Sequence, residues 1–178
     1  MSRRILLVRA VNVGGAKLPM AEFRELLTEL GATEVQTYIA SGNAIVEIPA
    51  GDRAGWDAFD RAVEAALTAR YGYTREVMSR DRGELEAALA AHPFEVVEPK
   101  FSYVSFLSAE PNVAAVETAE AVPRGEDLWR VIGRELHLRY ADGAGRAELD
   151  HTRLTKALGV AGTARNLLTV RKLVELAG

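Results

Sequence analysis

The stretch Arg4–Asn43 decides how this chain folds, and three pieces of it carry the reading: Arg4-Ile5-Leu6-Leu7-Val8-Arg9, then Asn12-Val13-Gly14-Gly15, then Thr37-Tyr38-Ile39-Ala40-Ser41-Gly42-Asn43. Within the first, Ile5 to Val8 are apolar at consecutive positions, as a strand covered on both faces requires. The second is a glycine turn. Between it and the third, Leu18-Pro19-Met20 opens a helix: proline suits a first turn, and Phe23, Leu26, Leu27 and Leu30 recur at helical spacing. Gly31 supplies the left-handed stop. Val35, Thr37 and Ile39 alternate with Gln36 and Tyr38, which marks a second strand, and Ser41-Gly42-Asn43 turns it back into Ala44–Ile48.

Working outward, Trp56, Phe59, Val63, Ala66 and Leu67 mark a second helix, and Arg75–Ser79 a fourth strand. The order β-α-β-β-α-β is that of a ferredoxin-like unit. A helix over Arg82–Ala91 follows and stops at His92-Pro93. The same order then recurs. It runs through a strand at Phe101–Leu107, a helix at Asn112–Glu120, a hairpin of Asp127–Ile132 and Glu135–Tyr140, a helix at Glu148–Leu158, a strand at Gly162–Arg165 and a last helix at Leu167–Ala177. The expected fold is therefore α+β, with two ferredoxin-like (α/β plait) halves, each followed by an extra helix. The expected domains are residues 1–98 and 99–178.

Topology makes a prediction about the site. In a βαββαβ unit the first two strands run the same way, with the third antiparallel between them. The turn at Asn12–Gly15 and the hairpin at Ser41–Asn43 should then emerge at one rim of the sheet. The apolar character of Ile5 to Val8 on both faces also demands a cover for the face away from the helices, either the second half or another subunit.

That rim gathers the first candidate binding residues: Arg9, Asn12, Gly14, Gly15, Tyr38, Ser41, Gly42 and Asn43. Glycines admit positive φ and expose backbone N–H groups ahead of a helix start, which suits an anion, and Lys17 adds charge. The spacing is neither a Walker loop nor a dinucleotide fingerprint. A purely structural reading stands beside each residue: a tight turn for the glycines, a strand-end arginine for Arg9, ordinary hairpin chemistry for Ser41-Gly42-Asn43. A second cluster, Thr163, Arg165 and Asn166, precedes the last helix. Asn166 suits an N-cap, and Arg165 suits a carboxylate or phosphate. Asp142-Gly143-Ala144-Gly145-Arg146 reads mainly as a loop.

These motifs resemble the bacterial domain-of-unknown-function family 1697 over nearly the whole chain, most closely at Arg9–Gly15, Pro19-Met20, Thr37–Asn43 and Thr163–Leu173. The resemblance implies a pair of ferredoxin-like halves and hallmark positions at the residues named above and Thr169, but no reaction. The chain departs from the family pattern at Leu167 and Leu168, where tryptophan and asparagine are usual. It departs again at Ala147-Glu148, where the family has serine-lysine, and the exchange of lysine for glutamate weakens an anion role for that loop.

Composition narrows the chemistry. With 178 residues, roughly 70% of the unfolded surface can be withdrawn from water, so a true core is available. The absence of cysteine excludes thiol chemistry and fits a reducing cytoplasm. No apolar run suits a signal peptide or a membrane span. His92, His137 and His151 lack ligand spacing, no base accompanies Ser41, and no carboxylate pair falls in the motifs, so neither a metal nor a cofactor is implied and an enzyme is disfavoured. The expected function is binding of a small phosphate-, nucleotide- or carboxylate-bearing molecule at the first rim, aided by the Thr163–Asn166 motif. RNA or single-stranded DNA binding is the first alternative, weakened by the net charge of −3 and by stacking candidates limited to Phe101, Tyr103 and Trp129 of the second half. A protein-interaction or assembly module, including a homo-oligomer, is the second.

Overall fold

The computed structural model describes all 178 residues, Met1–Gly178. Its elements are β1 (Ser2–Val8), α1 (Met20–Glu29), β2 (Thr33–Tyr38), β3 (Asn43–Ile48), α2 (Arg53–Tyr71), β4 (Val77–Arg80), α3 (Arg82–Ala91), β5 (Ser102–Leu107), α4 (Val113–Ala119), β6 (Leu128–Ile132), β7 (Glu135–Arg139), α5 (His151–Leu158), β8 (Gly162–Asn166) and α6 (Leu167–Leu176). Two four-stranded antiparallel sheets result, in the orders β2-β3-β1-β4 and β6-β7-β5-β8. The chain divides into two compact units, Met1–Leu85 with Leu173–Gly178, and Glu86–Lys172. The cut thus falls inside α3, earlier than the loop at residues 92–98, and the end of α6 belongs with the first unit.

In the first unit β1 is central, paired with β3 (Leu6↔Ala44) and β4 (Leu6↔Ser79). Leu6 and Val8 join Ala44, Val46 and Ile48 in a core closed by Phe23, Leu26 and Leu27 of α1 and Val63 and Leu67 of α2. Helix α1 follows Pro19, which cannot donate and is extended at φ −62°, and it ends before Gly31 at φ +91°. Asp52 caps α2 by accepting from Gly55 N–H, and Gly72 closes it in the left-handed conformation. The opposite face of this sheet is also buried: Ile5, Leu7 and Ile45 are fully inaccessible, with Met78 and Arg80 close to it.

The second unit repeats the strand order. Leu107, Leu136 and Leu138 pack with Trp129, Tyr140, Leu154 and Leu158. Asp127, buried ahead of β6, accepts from the N–H groups of Ala141, Glu148 and Leu149 and so fixes the segment between β7 and α5. Within that segment Gly143 lies against Phe101, leaving no room for a Cβ. The glycine loop is a packing element here.

Candidate rim site

Strand β1 leaves the sheet at Val8, whose N–H donates to Gly42 O at 2.8 Å. That bond joins the first turn to the second, because β1 and β2 both run antiparallel to β3 and end at one rim. Asn12 completes the joint. Its Oδ1 accepts from Leu18 N–H at 2.9 Å, and its Nδ2 donates to Leu18 O at 3.0 Å and to Ala40 O at 2.6 Å. The amide is fully engaged in holding backbone, which is a positioning role.

The turn so held is left-handed at four places: Ala10 (φ +50°), Asn12 (+55°), Gly14 (+59°) and Gly15 (+93°). Inside it, Asn12 N–H donates to Ala16 O and Lys17 N–H to Gly15 O. The exposed N–H groups of Val13, Gly14 and Gly15 donate to no protein acceptor. A hollow of about 400 Å³, lined by Asn12, Gly15, Ala16, Lys17 and Pro19, opens beside them.

The second turn is built for closeness. Gly42 is buried at φ +82°, and a Cβ there would sit 2.6 Å from Val11 Cγ2. Buried Asn43 donates to Tyr38 O at 3.0 Å and Ser41 Oγ at 2.8 Å, tying the hairpin shut. Ile39 is expected at the end of the strand but lies beyond it at φ +48°, costly for a β-branched residue, with its side chain half in water. Three of the four non-glycine residues with positive φ (Ala10, Asn12, Ile39) lie on this rim, the fourth being Glu34.

A third segment at the rim has no counterpart among the sequence motifs: the link Gly72–Glu76 between α2 and β4. Tyr73 donates its hydroxyl to Lys17 O at 2.8 Å, and Arg75 donates Nε to Ala10 O at 3.1 Å while its guanidinium lies over the Tyr73 ring. Tyr71 stacks on Tyr73 and donates to Glu22; burial first, then that carboxylate, raises its pKa to about 12. Glu76 holds Arg9 through both carboxylate oxygens, at 3.1 and 3.3 Å. The charge of Arg9 is thus matched within the protein, and Lys17 and Arg75 are the cations beside the turn. The signal that finds this segment is strand order: a strand antiparallel to β1 begins where β1 ends.

Thr163, Arg165 and Asn166 lie on β8 and belong to the second unit, whereas the eight rim residues belong to the first. Arg165 donates to Thr163 Oγ1 at 2.7 Å and Ala164 O at 2.9 Å, and burial lowers its pKa to about 10, so it stays charged at neutral pH. Asn166 accepts from Thr169 N–H at 2.9 Å, the N-cap of α6.

Other polar groups meet inside the units. His92 and His137 share a hydrogen bond between their Nδ1 atoms at 3.2 Å, and burial, with His92 adjacent, lowers His137 to about 4. His151 Nε2 lies 2.7 Å from Ser105 Oγ, but Ser105 is wholly buried and Gly162 closes on its hydroxyl, so no substrate carbonyl can reach this pair. No three His, Asp or Glu side chains gather as a metal cluster. In the first unit buried Arg4 lies over the Trp56 ring at 4.1 Å and donates to Ser79, and burial raises Asp60 to about 6 against hydrogen bonds from Ser79. Trp129 is core and Tyr103 packs against Tyr140, so neither offers a free stacking face in the middle of the second sheet.

A mixed α+β protein with two four-stranded sheets and a polar rim on the first is the class these features define. The family model described as protein of unknown function (DUF1697) matches residues 1–137, and the chain belongs to that family. Among solved structures it is similar to a conserved bacterial protein from Streptococcus pneumoniae, at 21% identity and a TM-score of 0.71, covering 99% of this chain and 98% of that one. No curated protein matches it. No helix is long and apolar enough to cross a membrane.

Proposed function

We propose that the protein binds a small phosphate- or carboxylate-bearing molecule at the Asn12–Lys17 turn, and that the two units are ferredoxin-like halves that work in a reducing cytoplasm. Strand orders β2-β3-β1-β4 and β6-β7-β5-β8 support the plait, and the absence of cysteine fits the compartment. One observation carries the binding reading: three successive exposed N–H groups, at Val13, Gly14 and Gly15, lack protein acceptors on a turn fixed by Asn12 and Tyr73. Such a nest is preorganised for negative charge, so little ordering entropy opposes binding. Lys17 and Arg75 supply the countercharge, while Glu76 and Glu22 are each held by a partner, Arg9 and Tyr71. In this reading the groups at the turn bind and orient the anion.

For inorganic phosphate alone the expected Kd is about 1 mM, or about −4 kcal/mol. Thermal shift with phosphate, citrate and AMP tests this. Wild type should gain stability that Lys17→Ala, Arg75→Ala loses and Arg9→Ala, Glu76→Ala keeps. Equal shifts in wild type and the Lys17/Arg75 double variant would end the proposal.

A further inference from the structure

We infer that the groove between α1 and the free edge of β2 seats an extended, lysine- or arginine-bearing peptide segment of a partner protein. Its lining residues are not those of the Asn12–Lys17 turn, and it rests on different observations. Strand β2 ends its sheet and pairs only with β3, so one row of its backbone N–H and C=O groups faces outward. Beside that edge lies a groove of about 780 Å³, whose helical wall is the Ala21, Arg24, Glu25, Thr28, Glu29 face of α1. Those positions recur at i, i+3, i+4, i+7 and i+8, the stripe that the inward residues Phe23, Leu26 and Leu27 leave over. An edge strand flanked by a helix is the setting in which a peptide adds a strand and drops alternate side chains into a groove.

Charge selects the occupant. The groove carries three carboxylates, Glu25, Glu29 and Glu34, against one guanidinium, Arg24. Arg24 is turned to the Thr37 hydroxyl, and Glu29 is paired with Arg70. Glu25 and Glu34 stand in water with no cation of the chain within salt-bridge distance. The β2 register shifts between Thr33 and Gln36, and Glu34, an exposed lining residue of the groove, sits in that bulge at φ +48°. A bulge with an exposed carboxylate also discourages a second copy: twofold pairing of β2 with β2 would set Glu34 groups on like charge. Small groove residues, Ala21, Ala32 and Thr28, leave room for the long aliphatic stems of lysine or arginine.

The test uses the full chain and two fluorescent heptapeptides, one alternating lysine with threonine and one alternating glutamate with threonine. The lysine peptide should bind with a Kd of about 10–100 µM, shifting amide signals over Thr33–Tyr38 and Ala21–Glu29. Glu25→Lys, Glu34→Lys, both exposed and outside the core, should weaken it at least about tenfold and admit the glutamate peptide. No saturable binding up to about 1 mM, binding indifferent to charge reversal, or shifts confined to other surfaces would overturn the inference. So would a concentration-dependent dimer that Glu34→Lys abolishes, since the occupant would then be a second copy.

Discussion

Replacing Asn12 by alanine should loosen the joint between the two rim turns without touching the core. The side chain makes three hydrogen bonds, two to Leu18 and one to Ala40, at 2.6 to 3.0 Å. Each is worth about 1 kcal/mol net, and partial exposure discounts the three together to about 2 kcal/mol. Alanine must also hold φ +55°, which adds about 1 kcal/mol. Asn12→Ala should therefore cost about 2–3 kcal/mol and Asn12→Gly about 1 kcal/mol less, because glycine is at ease there. Urea unfolding followed by circular dichroism gives the energies, and exchange of the Leu18 amide proton reports the local loss. An Asn12→Ala protein within about 0.5 kcal/mol of wild type, with Leu18 still protected, would refute the reasoning. A reversed order, with glycine worse than alanine, would do the same.

The glycines of the rim should separate by mechanism. Gly42→Ala meets Val11 and Val8 as well as a left-handed backbone, so calorimetry should show a loss of about 2–3 kcal/mol, whereas Gly14→Ala, in open space, should lose only about 1 kcal/mol. Acid should expose His137: its folded pKa of about 4 lies below the ordinary 6.5, so its contribution is present above pH 6.5 and is lost as pH falls through 4. That amounts to about 3 kcal/mol, and His137→Gln should flatten the pH–stability curve in this window. Asp60 has the opposite sign. Its pKa of about 6 lies above the ordinary 3.8, so its contribution is present below pH 3.8 and is lost as pH rises through 6; Asp60→Asn should gain stability at pH 7 that it does not gain at pH 4.

Much of this architecture was legible because local chemistry and global order agree. Pro19 and Gly31 bracket α1, the helical spacing of Trp56, Phe59, Val63 and Leu67 marks α2, and the apolar run of β1 matches its central place. The meeting of the two rim turns follows from strand direction alone, since β1 and β2 must both run against β3. What sequence could not assign was which polar groups the protein consumes itself. Asn12 and Asn43 look like donors for a ligand and are bound to backbone instead; Arg9 looks like a free cation and is held by Glu76, a residue with no motif around it. Arg75 and Tyr73 reach the rim across some sixty residues of chain, a distance no periodicity records. The pairing of His92 with His137 is equally a product of tertiary packing, hidden from ligand-spacing arguments.

The central claim is that the Gly14-Gly15 turn receives negative charge through its own backbone. Its most direct test is a phosphate titration of the ¹⁵N-labelled protein. Saturable shifts of the Val13, Gly14 and Gly15 amides are expected, and they should vanish in Lys17→Ala, Arg75→Ala. Linear, unsaturated drift at those amides, with saturation elsewhere or nowhere, would contradict it.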